Sequence, residues 1–268
     1  MTDTQTTEYD GFTVTRQGHI AELTLNRPEV FNRFDAQVHR AFLDAAQDLR
    51  HQLDLRALVL ASTGPVFSAG GDFDFMLAQQ DDLPLRNAVN DESRLLFETL
   101  IDLPMPVIAA VQGHCVGLGT TIALACDAVV ACRSAKLSDP HIAIGLVAGD
   151  GGCVVWPQAV GMLRARRYLL TGQAIPAPEA HAMGLVTDLV DEPGDVLPAA
   201  RSLADTIAAL PPVAIQGTKR ALNQITKLRT AEVLPLSLSL ESHSLTTEDI
   251  VEAIEAFRAK RPPTYQAR

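Results

Sequence analysis

The sequence predicts an α/β layer fold followed by an all-helical C-terminal portion, on three observations. From Gly11 to about Val190, short apolar runs alternate with stretches of helical periodicity, the pattern of strands covered by helices. Two glycine-rich turns in that region, Phe67-Ser68-Ala69-Gly70-Gly71-Asp72 and Gly113-His114-Cys115-Val116-Gly117-Leu118-Gly119-Thr120-Thr121, each follow an apolar run and open a helix. After Pro193 the strand pattern stops. With 268 residues, the chain fits one large domain or a domain with an appended subdomain.

In order along the chain, residues 1–10 are polar and acidic and read as a loose tail. Phe12 to Thr15 and Ile20 to Leu25 read as a hairpin around Gly18. Between Asp35 and Leu53, Val38, Phe42, Ala45, Ala46 and Leu49 recur at helical spacing, with Asp35 placed to cap the helix. Leu55 to Ser62 and Pro106 to Gln112 are the strands that lead into the two turns. The intervening Gln79 to Val89 stretch is polar and contains proline; it shapes any nearby pocket, but its pattern gives it no place. Residues 11–192 thus form the core region. In residues 193–268, Leu197 to Leu210, Pro212 to Leu228 and Ala231 to Lys260 read as three helices, with more apolar face than they can bury on one another.

Composition excludes several classes. Apolar residues make up 47% of the chain, yet no run of about 18 of them exists to span a membrane. The opening residues have no basic start and no apolar segment, and the first Arg is Arg16, so neither a secretory signal nor a mitochondrial presequence is expected. Cys115, Cys126, Cys132 and Cys153 show no Cys-x-x-Cys spacing and read as thiols of a reducing compartment, which implies a cytoplasmic protein. The seven histidines are scattered, so no metal site is expected. A net charge of −10 argues against nucleic-acid binding.

The two turns suggest a chemistry. Glycine leaves backbone N–H groups uncovered, and helix N-termini favour negative charge, so paired turns suit a carbonyl oxygen becoming an oxyanion. Either turn alone is also consistent with a plain strand-to-helix connection.

The pair continues in register with Leu25-Asn26-Arg27-Pro28, Ala123-Leu124-Ala125-Cys126-Asp127, Gly145-Leu146, Gly151-Gly152, Leu170-Thr171-Gly172, Ala182-Met183-Gly184-Leu185-Val186 and Phe257-Arg258-Ala259-Lys260-Arg261-Pro262. On these segments the chain resembles the crotonase superfamily, also called the enoyl-CoA hydratase/isomerase family. The resemblance implies a spiral of repeated ββα turns, with C-terminal helices that build a homotrimer or a dimer of trimers. It implies an acyl-CoA thioester substrate, coenzyme A being part of the substrate and no separate cofactor being needed. The oxyanion hole would be the backbone N–H groups of Ala69 and Leu118. Gly70, Phe75, Met76 and Gly117 would line the substrate pocket, together with His39, His114, Thr121 and Trp156. Arg27, Arg33, Phe257 and Lys260, with Arg258 and Arg261 alongside, would meet coenzyme A. Each basic residue also reads as a solvated surface charge, His114 as packing and Trp156 as core. Asp72 and Asp127 read as ties for turns or helix caps.

The side chains that choose the reaction depart from the family. Hydratases carry two glutamates at the positions that are Thr121 and His141 here, and a threonine hydroxyl has no useful basicity near neutral pH. His141 has the ordinary pKa of a general base, and Asp150, nine residues on and flanked by glycines, could orient it as in hydrolytic triads. The plainer alternatives are a structural histidine and a cap for the helix starting near Cys153. The Pro140-His141, Gly149-Asp150-Gly151 and Val154-Val155-Trp156-Pro157 pattern is also similar to a divergent crotonase, 6-oxocamphor hydrolase, which cleaves a carbon–carbon bond of a cyclic β-diketone. His39 matches a histidine of that enzyme, whereas another of its histidines falls at Leu118. Three readings follow: a lyase of the enoyl-CoA hydratase type with His141 and Asp150 catalytic, a retro-Claisen hydrolase of β-diketones, or a non-catalytic acyl-CoA binder.

Overall fold

The computed structural model describes residues 4–268; the first three residues of the expected tail lie outside the described residues. The rest of that tail is not loose. β1 (Thr4–Tyr9) pairs residue for residue with β2 (Phe12–Gln17), which pairs antiparallel with β3 (Ile20–Leu25). The Asp10-Gly11 turn closes the first pair with Gly11 at φ 84°, and Tyr9 stacks on Phe12 at 4.9 Å. Because β1 is exposed almost throughout, its composition carries no apolar alternation, and the backbone ladder alone holds it. The hairpin expected around Gly18 is the β2–β3 pair.

α1 (Ala36–Arg50) starts where the sequence places it. Asp35 accepts from the N–H groups of Gln37 and Val38 at 3.1 Å each, and Val38, Phe42, Ala45, Ala46 and Leu49 are buried. His39 is buried on the same helix.

The ββα repeat implied by the family resemblance follows. Its first turn is β4 (Ala57–Ser62), β5 (Val66–Ser68), α2 (Phe73–Ala78) and α3 (Leu83–Ile101); its second is β6 (Val107–Val111), β7 (His114–Val116) and α4 (Leu118–Leu124). Its third is β8 (Ala128–Cys132), β9 (Lys136–Ser138), α5 (Gly152–Val160) and α6 (Met162–Leu169), and β10 (Ile175–Pro176), α7 (Ala177–Met183) and β11 (Asp188–Val190) close it. The first strands join one sheet in the order β1-β2-β3-β4-β6-β8-β11, and the second strands join another, β10-β9-β7-β5. β4 and β6 are parallel and covered on both faces, which explains their unbroken apolar sequence. In the smaller sheet β5 lies parallel to β7, so the two glycine-rich turns at their ends lie side by side.

The unplaced Gln79 to Val89 stretch is the end of α2, a short link and the first two turns of α3, which Asp82 caps by accepting from Leu85 N–H at 2.9 Å. At the C-terminus, α8 (Pro193–Ala208), α9 (Pro212–Ser244) and α10 (Glu248–Arg258) replace the three expected helices: α8 starts earlier than expected, α9 starts where expected but ends later, and α10 is shorter. The break expected near Leu228 is absent; α9 runs for 33 residues and stops only at the threonines before Glu248. Thr230 continues the helix by bonding back to Thr226 O at 2.8 Å, and Glu248 and Asp249 in the first turn of α10 suit that helix's positive end. The Lys219–Asp127 ion pair, 2.6 Å, fastens α9 to the spiral, and Asp127 also accepts from Val107 N–H at 2.7 Å, the structural role expected of it. Leu146, Leu245, Ile250 and Ile254 form a small second core that folds α10 back over the first turn. Among the described residues, no helix is long and apolar enough to cross a membrane.

Candidate active site

The adjoining turns leave two backbone donors free, of which one, Leu118, is a donor the sequence predicts. Gly70 takes φ 83°, and a Cβ there would lie 2.8 Å from Val116 O, so the turns touch only because position 70 has no side chain. Leu118 opens α4 behind Gly117, whose φ is 53°, and its N–H is a first-turn donor with no side-chain cap. Ala69 corrects the expectation: its N–H donates to Phe31 O at 2.9 Å. Gly70 N–H donates to Ser68 Oγ and Asp72 N–H to Phe34 O, so from Ala69 to Asp72 only Gly71 N–H lacks an acceptor among the described residues. The free pair is Gly71 and Leu118. A parallel bridge between Phe34 and Gly71 sets this alternation, a tertiary register that the loop motif alone does not reveal.

His141 stands beside them on a single 3-10 turn, His141–Ile144, that ends at Gly145. Its ring passes within 3.5 Å of where a Cβ on Gly117 would sit. Nδ1 is hydrogen-bonded to Asp139 Oδ1, and Nε2 faces Asp150 Oδ2 at 3.6 Å. Asp139 therefore takes the orienting place expected of Asp150, and Asp150 faces the other ring nitrogen. Thr121, at the first glutamate position, donates its hydroxyl to Asp150 Oδ1 at 3.0 Å. Asp150 Oδ2 is buried with no hydrogen-bond partner among the described residues. Gly152 N–H reaches Asp150 at only 3.4 Å, so helix capping is a minor part of its role.

Electrostatics corrects the expectation of a neutral base. Burial disfavours the imidazolium, but the Asp139 carboxylate, then Asp150, the Asp139 hydrogen bond and Glu241 outweigh it, pushing His141 up to about 10. At neutral pH His141 is therefore a proton donor. Burial raises the Asp150 carboxyl above its ordinary value, against the pull of His141. Glu241, half-buried on α9, is pushed up to about 8 by burial and then by Asp150.

Two chambers meet at His141, Gly71 and Met76. The outer one, about 720 Å3, includes Ala69, Gly70 and Gly117 and is rimmed by Arg33, Phe257, Arg258 and Arg261. The inner one, about 80 Å3, is lined by Phe75, Met76, Leu118, His39, Asp150 and Glu241 among others. Five expected site residues line neither chamber; Thr121 is one, buried behind Asp150. Arg27 pairs with Asp35 at 2.5 Å and is absent from both walls, as is Lys260, whose neighbours Arg258 and Arg261 take the rim. Trp156 is fully buried in the main core, and His114 is an exposed residue of β7 outside both chambers. Asp72 caps α2 by accepting from Phe75 N–H and pairs with Arg33 at 2.8 Å, the structural role expected of it.

Sequence reasoning missed the roles of Asp139 and Glu241. Asp139 was visible as the residue two before His141; Glu241 had no signal, because α9 reads as an assembly helix. One ligand atom each from Asp139, His141 and Asp150 lie within 4.8 Å of one another, a set that could hold an ion. The Asp139 hydrogen bond engages Nδ1, so only Nε2 and Asp150 Oδ2 of this set face each other across a gap.

A family model described as enoyl-CoA hydratase/isomerase matches residues 15–268. The chain belongs to the enoyl-CoA hydratase/isomerase family. This member is 33% identical over 256 residues to the 2,3-dehydroadipyl-CoA hydratase of Escherichia coli, covering 95% of this chain and 98% of that one. The crystal structure of an enoyl-CoA hydratase/isomerase from Mycobacterium paratuberculosis superposes with a TM-score of 0.88 at 35% identity, covering 91% and 97% of the two chains. A β-diketone hydrolase from Anabaena, solved with (S)-3-oxocyclohexyl acetic acid, matches with a TM-score of 0.83 at 28% identity, covering 89% and 95%. The family member is thus an enzyme of the hydratase type with the crotonase fold.

Proposed function

We propose that the protein hydrates a short enoyl-CoA thioester, with the thioester oxygen held by the N–H groups of Gly71 and Leu118. The observation that carries this reading is the row Asp139–His141–Asp150, which ends in an unpartnered buried carboxylate oxygen beside those donors. Asp150 Oδ2 takes a proton from water as the water oxygen bonds to the β-carbon. The electron pair of the double bond moves onto the thioester, and the resulting enolate oxygen rests on the two donors. His141 Nε2–H protonates the α-carbon, and the proton on Asp150 crosses to Nε2 to restore the starting state. Coenzyme A occupies the outer chamber against Phe257 and the arginine rim. The substrate needs no further cofactor. Three copies associate through the C-terminal helices, singly or as paired trimers, in the cytoplasm.

The test is crotonyl-CoA with purified protein, recording enoyl absorbance and free thiol together. Hydration removes absorbance without releasing thiol. Unchanged signals for both contradict the proposal and favour a second reading, supported by the likeness to the Anabaena hydrolase, in which Asp150 directs water at the ketone of a β-diketone. Cyclic β-diketones are then the substrates to assay. Binding of acyl-CoA with turnover of neither class would leave a non-catalytic binder.

A further inference from the structure

The inner chamber has a polar wall that a plain hydrocarbon chain would not use. α3 presents Arg86, Asn90 and Ser93 to it at i, i+4 and i+7, one face of the helix. Arg86 is half-buried and donates one Nη to the carbonyls of Gln79 and Gln80, at 2.5 and 2.9 Å, which fixes its position at the end of α2. Among the described residues no carboxylate pairs with it. Asp72, which shares the chamber, pairs with Arg33, and Glu92 pairs with Arg40. The Asn90 amide makes no hydrogen bond among the described residues, and Ser93 Oγ meets only His39 Nε2, at 3.4 Å. His141 and Asp150 line the same chamber from different elements, so one chamber holds both the reacting groups and a guanidinium. Its volume, about 80 Å3, is room for roughly half a dozen waters, which suits a short chain.

From this juxtaposition we propose that the acyl group carries a terminal carboxylate, received by the free Nε and Nη2 edge of Arg86 with Asn90 beside it. A guanidinium fork matches a carboxylate in geometry as well as charge, and a half-buried Arg with no carboxylate partner gains most from one. A methyl-ended chain of equal length leaves that donor edge unmatched, so the site discriminates by what the wrong substrate lacks. This substrate class, a dicarboxylic acid joined to coenzyme A through one end, rests on the acyl-CoA reading above.

Binding of saturated thioesters separates the two, because it needs no turnover. Calorimetry with glutaryl-CoA against valeryl-CoA, and adipyl-CoA against hexanoyl-CoA, should give at least tenfold tighter binding for one or both acids. Arg86→Gln should abolish the preference, and Arg86→Lys, which keeps the charge, should retain part of it. Equal affinity within both pairs, or a preference that survives in Arg86→Gln, overturns the proposal and leaves the acyl-CoA reading standing. Failure of all four thioesters to bind overturns both.

Discussion

Asp139 does at residue scale what the sequence had assigned to Asp150, and the difference is testable. Losing its charge in Asp139→Asn removes the largest influence holding His141 protonated, and the account expects kcat/KM on the enoyl thioester to fall by about 10²-fold or more. Steady-state kinetics on the variant check this, with Asp139→Glu expected to recover part of the loss. Glu241 gives a prediction of opposite sign for stability. Its carboxyl is raised from 4.5 to about 8, so folding favours the protonated form, and the stability tied to it declines as pH rises from about 4.5 to 8. His141, also raised, contributes fully below about 6.5 and loses that contribution as pH rises through about 10. Wild-type Tm should therefore drop between pH 7 and 10, and Glu241→Gln should melt higher than wild type at pH 8.5. A lower Tm for that variant would contradict the burial of Glu241's charge. His141 and Asp150 were legible as a pair because each occupies a place defined by sequence-local landmarks. Ala69 was two positions off, since which N–H a loop leaves free depends on Phe31 and Phe34, residues of a remote loop that the motif does not contain.

Elements were legible where burial is one-sided and local. The cap and stripe of α1, the two-sided apolar runs of β4 and β6, and the turns between them all follow from residue spacing. The failures share a cause in tertiary support. β1 is an exposed strand held by pairing, and α9 passes the expected break because its neighbours pack it on both sides of Thr230. The Lys219–Asp127 pair is one such support: Lys219 is buried and its ammonium also donates to Met105 O at 2.8 Å. Lys219→Ala leaves Asp127 without its partner and should destabilise the fold by about 3 kcal/mol, read as a lower urea midpoint with unchanged slope. No change in midpoint would mean that α9 is fastened elsewhere.

For the whole molecule, the long C-terminal helix leaves apolar side chains exposed. Leu222, Ile225, Leu228 and Leu236 lie exposed along α9, an apolar surface that an isolated chain of 28.8 kDa would leave in water. Light scattering should therefore return a mass near three or six times that of one chain, and Leu222→Asp with Ile225→Asp should reduce it. A monomeric wild-type mass would contradict the assembly. The chemistry proposed uses only side chains and backbone donors, so prolonged dialysis against EDTA should leave the hydration rate unaltered. A loss restored by a divalent ion would instead assign one to Asp139, His141 and Asp150.

The central claim is that His141 works as a charged acid between two carboxylates, and the pH dependence of kcat/KM for crotonyl-CoA tests it most directly. The account predicts a rate that declines on the alkaline side as His141 loses its proton near pH 10, with the decline moved to lower pH in Asp139→Asn. A rate that instead climbs through pH 6–7 and stays level beyond pH 10 would show a neutral histidine acting as base, and would contradict it.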